Sequence, residues 1–120
     1  MTITITRRIE TERAIVERLV SDALFFRGYS VSHRSGSALT VARSRDIAPI
    51  MKQLHACDKE SLSFHDADDR FVGSVSLEYG NSGYRVLADH TVNDQMTDLV
   101  AGAQRLADVL EAEAMSGSDP

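Results

Sequence analysis

The 120-residue sequence predicts an α+β fold: an antiparallel sheet of about five strands in two hairpin units, with about three helices packed on one face. Three observations carry that expectation. The stretch Phe71 to Val92 holds two alternating apolar runs around Gly80-Asn81-Ser82-Gly83, a hairpin signature. Two long segments, 7–26 and 94–110, repeat apolar residues at helical spacing. The composition, 42% hydrophobic and 26% charged, is that of an ordinary globular chain with room for one core.

In chain order, Thr2-Ile3-Thr4-Ile5-Thr6 alternates like a short edge strand. From Arg7 the period changes: Ile9, Val16, Leu19, Val20, Ala23, Leu24 and Phe26 mark a helix, and Gly28 is placed to end it. Glu10, Glu12 and Glu17 alternate with Arg13 and Arg18 and read as solvent-side ion pairs. Tyr29 to Arg45 reads as a hairpin turning at Ser35-Gly36-Ser37. Asp46 is a good N-cap and Pro49 suits a first turn, so Ile47, Ile50, Met51 and Leu54 predict a short helix ending near Cys57. Leu62 and Phe64 mark a strand joined by Asp66-Ala67-Asp68-Asp69 to the central hairpin, which puts them on the face of Phe71 and Val75.

Within that hairpin, a two-residue turn at Asn81-Ser82 would set Tyr79 opposite Tyr84, Leu77 opposite Val86 and Val75 opposite Ala88, with Glu78 facing Arg85 on the other side. Asn93 or Asp94 then caps a helix striped by Met96, Leu99, Val100, Ala103, Leu106, Ala107 and Leu110. The order is (β)-α-β-β-α-β-β-β-α, one domain over 1–115 with a disordered tail at 116–120.

Function is less legible. No apolar run spans a bilayer, the N-terminal charge order is wrong for a signal peptide, and the single Cys57 suits a reducing cytoplasm. Residues 1–45 carry a balance of +4 and residues 46–120 one of −9. That polarity suggests a basic edge and an acidic face, and the net acidity argues against direct nucleic-acid binding.

His55, Cys57 and His65 are the soft-ligand cluster, but their spacing supplies too few ligands for a closed zinc shell, so neither metal nor cofactor is expected. The acidic neighbours Asp58 and Glu60 argue against Cys57 as a nucleophile. The acidic loop of Asp66, Asp68 and Asp69 lacks the glycine and distant Glu of a calcium loop. Arg34, Arg43 and Arg45, with His33, could read an acidic partner or simply block the edge of the sheet. Tyr84, Arg85, Asp89 and His90 form the pocket candidate for an enzyme or ligand-binding domain.

The run Gly73-Ser74-Val75-Ser76-Leu77-Glu78-Tyr79-Gly80-Asn81-Ser82-Gly83-Tyr84-Arg85-Val86, followed by Asp89 and Leu106-Ala107-Asp108, resembles short proteins of phages, prophages and plasmids. Those share a Tyr-Gly-Asn-x-Gly hairpin and a C-terminal helix. The resemblance brings no catalytic residues; it implies a small accessory protein of a mobile element, of the kind that blocks a host defence protein, as anti-CRISPR proteins do. The expectation is therefore a non-enzymatic protein-binding module using Asp66, Asp68, Asp69, Arg34, Arg43, Arg45, Glu78 and Arg85. The alternatives are the pocket above and a structural homo-oligomer. Helix 1 also carries more apolar surface than one stripe needs, with Ile15 and Phe25 in the surplus, which predicts a homodimer on helix 1 or the adjacent sheet edge.

Overall fold

The computed structural model describes residues 5–117. Its elements are α1 (Ile5–Ser21), a π-helical turn (Asp22–Phe26), β1 (Ser30–Ser35), β2 (Ala38–Ser44), α2 (Ile47–Gln53), β3 (Lys59–His65), β4 (Phe71–Glu78), β5 (Leu87–His90) and α3 (Asp94–Gly117). This is the expected α+β order. The strands form one antiparallel sheet in the order β2-β1-β3-β4-β5. Because α2 intervenes between β2 and β3, the chain returns beside β1 rather than continuing past β2. Ile5 and Thr6, expected in an edge strand, belong to α1, and the rest of that expected strand lies outside the described residues. Ser116 and Gly117, expected in the tail, belong to α3.

The helices cover one face. Val31, Leu62, Phe64, Val75 and Leu77 from the strands meet Ile15, Val16, Leu19 and Val20 of α1, Ile50 of α2, and Met96, Leu99 and Ala103 of α3 in a single buried core. Local chemistry sets the element ends. Asp46 Oδ1 accepts the Ala48 N–H to start α2, and α2 stops at Gln53 because Leu54 turns extended and His55 takes φ +67°. Asn93 Oδ1 accepts the Met96 N–H to start α3, while its Nδ2 donates to Val72 O and ties the cap to β4. Gly73 faces α3 so closely that a Cβ there would collide with the Met96 side chain.

Two strand expectations fail, each through one extra residue. Phe64 pairs with Gly73 but His65 pairs with Phe71, so the intervening bulge sends Phe71 to the helix-free face, against His65. In the central hairpin, Ser76 pairs with Asp89 and Leu77 with Leu87, with a bulge between them. Tyr79 to Val86 is therefore a wide loop rather than a two-residue turn, with Ser82 at φ +62° and Gly83 at φ +93°. Glu78 does not face Arg85; its backbone N–H donates to Val86 O. Long-range contacts from α1 decide this loop.

Candidate functional site

The densest chemistry among the described residues is a buried polar cluster at one end of the sheet, assembled from residues far apart in the sequence. Glu12 lies on the core side of α1 and is fully buried. Its carboxylate accepts the Gly80 N–H at 2.8 Å and His55 Nε2–H at 3.0 Å, with Arg8 Nε 3.6 Å away. The His55 ring stacks on Tyr79 at 3.9 Å between centroids. The Tyr79 hydroxyl donates to Glu60, whose carboxylate also accepts the backbone N–H groups of His55, Ala56 and Cys57. His33 Nε2 sits 3.1 Å from Glu60 Oε1, off the line of a hydrogen bond, and His33 Nδ1 contacts Thr40 Oγ1.

The electrostatics follow from this satisfaction. Burial alone would raise the Glu60 carboxyl; the hydrogen bonds from Tyr79 and from the Ala56 N–H, with the His33 ring close by, overcome it and hold the carboxyl below its ordinary 4.5. Burial, and then the Glu60 carboxylate, push the Tyr79 phenol above its ordinary 10.0. Such a cluster resembles acid–base machinery in composition, but each carboxylate is already occupied by protein donors. Glu60 and Glu12 act as internal anions that fold the 54–58 and 79–83 loops around themselves.

The expected site residues are not gathered into one place. Arg43 Nη1 pairs with Asp69 Oδ1 at 3.4 Å, whereas Arg34 and Arg45 reach the backbone oxygens of Ser37 and Gly28. His33, grouped with these arginines by sequence, is instead inside the core. Asp66 spends its carboxylate on the N–H groups of Asp68 and Arg70, which shapes its own turn. Tyr84 and Arg85 lie in the wide loop, while Asp89 and His90 sit at the far end of β5, where Asp89 Oδ1 accepts the His90 N–H. The pocket candidate is thus spread over the length of β5. Cys57 is exposed, its Sγ against Lys59 O and the Ser35 hydroxyl. No group of three or more metal-ligating side chains occurs among the described residues, and none of the helices is long and apolar enough to cross a membrane.

A second feature was only half legible. The surplus apolar surface of helix 1 divides: Ile15 is fully buried, but Phe25 and Phe26 remain 68% and 82% exposed. They project because the helix widens into a π turn at Asp22–Phe26, closed by Arg27 N–H on Asp22 O and Tyr29 N–H on Ala23 O. Arg18 Nε holds Asp22 Oδ2 at 2.9 Å, and α3 crosses there at Gly102, where a Cβ would lie 2.9 Å from the same oxygen. Beside Phe26 runs a groove of about 290 Å³ walled by Arg18, Arg27, Asp98 and Arg105. No family model matches the chain, nor does any curated protein or solved structure.

Proposed function

We propose that this chain is a non-enzymatic protein-binding module whose docking centre is the Phe25–Phe26 projection. The observation that carries the reading is the adjacent exposure of two phenylalanines on a turn held by an ion pair and two backbone hydrogen bonds. Aromatic and arginine side chains on a rigid support are what the energetic centres of protein interfaces are made of. Burying one such ring stabilises a complex by roughly 1.5–3 kcal/mol before orientation costs. Arg27 and Arg105 stand at the groove beside the Arg18–Asp22 pair and Asp98, which suits a partner presenting an apolar cleft with acidic groups near those two arginines. The more distant charges, Arg34, Arg43, Arg45, Asp66, Asp68, Asp69, Glu78 and Arg85, steer approach rather than anchor it.

The setting we propose is the one the hairpin resemblance implies: a cytoplasmic accessory protein of a mobile element that occupies the surface of a host protein, a defence protein among the candidates. The acidic chemistry of the buried cluster supports this over an enzyme, because its carboxylates are saturated by the protein's own donors. The test is affinity capture from bacterial lysate with wild type and a Phe25→Ser/Phe26→Ser variant, read by quantitative mass spectrometry. A protein retained by wild type and lost by the variant supports the reading; identical captures, or none, overturn it.

A further inference from the structure

The face of the sheet turned away from the helices carries a charge pattern that matches its own image. One row crosses all five strands: Leu39 of β2 pairs with Arg34 of β1, Arg34 with Ser61 of β3, Ser61 with Ser76 of β4, and Ser76 with Asp89 of β5. The row above it sets Lys59 of β3 beside Glu78 of β4, and the row below sets Ser63 beside Ser74. At the far end His65 stands beside Phe71. Arg34, Lys59, Glu78 and Asp89 have no ion-pair partner among the described residues. The pattern is basic on β1 and β3 and acidic on β4 and β5, with only serines between.

A two-fold axis that runs along the strands, midway between β3 and β4, exchanges β3 with β4 and β1 with β5 and leaves every row at its own height. A second copy placed by that axis brings its Asp89 over Arg34, its Glu78 over Lys59, its Ser76 over Ser61, its Ser74 over Ser63 and its Phe71 over His65. Each opposed pair is complementary. An axis across the strands would instead place each column on itself, with Arg34 facing Arg34. We propose that this face is a self-docking surface, and that two copies of the chain pack sheet to sheet about the axis along the strands. Sheets stacked this way lie roughly 30° from parallel, so the rows nearest the axis stay opposed and Arg34 and Asp89 close the rim. The serines at the centre keep the two backbones close, and a groove of about 490 Å³ between Lys59, Ser61, Ser76, Glu78 and Asp89 leaves room for the partner's charged side chains. An isologous contact of this kind closes on a dimer. It is separate from docking at Phe25–Phe26, which lie in the turn after α1.

Sedimentation equilibrium up to near-millimolar concentration tests the proposal, with Arg34→Asp and Asp89→Arg as variants of two exposed side chains. Wild type is expected to populate a species of twice 13.2 kDa. Each single variant places like charges at both rim contacts and should raise the dissociation constant at least about tenfold. An equimolar mixture of the two variants restores both contacts and should return the dimer. The pair Lys59→Glu and Glu78→Lys, mixed in the same way, gives a second reading if an edge-strand variant folds poorly. A wild type that stays at 13.2 kDa throughout, or a dimer indifferent to these reversals and to mixing, overturns it.

Discussion

The Glu12 carboxylate accepts the backbone N–H of Gly80 at 2.8 Å, across 68 positions of sequence. This one bond joins the first helix to the loop after β4, and it explains why that loop does not make a two-residue turn. The loop must carry Gly80 inward to Glu12 and lay Gly83 along Arg8 and Thr11, which costs several positive-φ residues.

Glu12→Ala should therefore destabilise more than a surface change. It would leave the part-buried Gly80 N–H and His55 Nε2–H without their acceptor, a loss on the order of 2 kcal/mol. Glu12→Gln keeps an acceptor and should lose less. Urea denaturation followed by circular dichroism measures both; values within a few tenths of wild type would contradict the role given to this carboxylate.

Glu60 and Tyr79 set opposite limbs of the pH dependence. The native Glu60 carboxyl lies below its ordinary 4.5, so its contribution is present above that value and drains away as pH falls through the lowered one. The native Tyr79 phenol lies above 10.0, so its contribution is present below that pH and drains away as pH rises beyond it. Tyr79→Phe should flatten the alkaline limb and cost about 1–2 kcal/mol at neutral pH, since one donor to Glu60 is lost. Glu60→Gln should flatten the acid limb. Urea midpoints measured across pH for the three proteins check these signs.

Gly73 and Met96 are matched in size. Gly73→Ala should destabilise by about 1–3 kcal/mol through overpacking against the Met96 side chain. Combining it with Met96→Ala should cost less than the sum of the two single variants. Strict additivity in denaturation midpoints would mean that the two residues do not share the space.

Most of the fold could be read from periodicity because each helix and strand buries one face. What escaped was decided by contacts distant in sequence. Glu12 reads as a surface ion-pair residue beside arginines, yet it falls three and four positions before Ile15 and Val16, on the apolar stripe itself. His33 alternates with Val31, and Glu60 with Leu62 and Phe64, so period two already placed both on the core face. A polar residue in register with an apolar face was the available signal. The bulges at Val72 and Ala88 had no such signal, and they moved Phe71 and broke the Glu78–Arg85 pairing. The exposed Phe25–Phe26 pair depended on a π turn, one residue wider per turn than the helical spacing that the sequence displays.

We propose that this chain docks a protein through Phe25 and Phe26. The most direct measurement compares what wild type and the Phe25→Ser/Phe26→Ser variant retain from bacterial lysate, with circular dichroism confirming that both are folded. Docking at this turn requires at least one protein enriched by wild type and lost from the variant, its retention changed far less by Arg34→Asp than by the serine pair. Equal retention by wild type and the serine variant would contradict it.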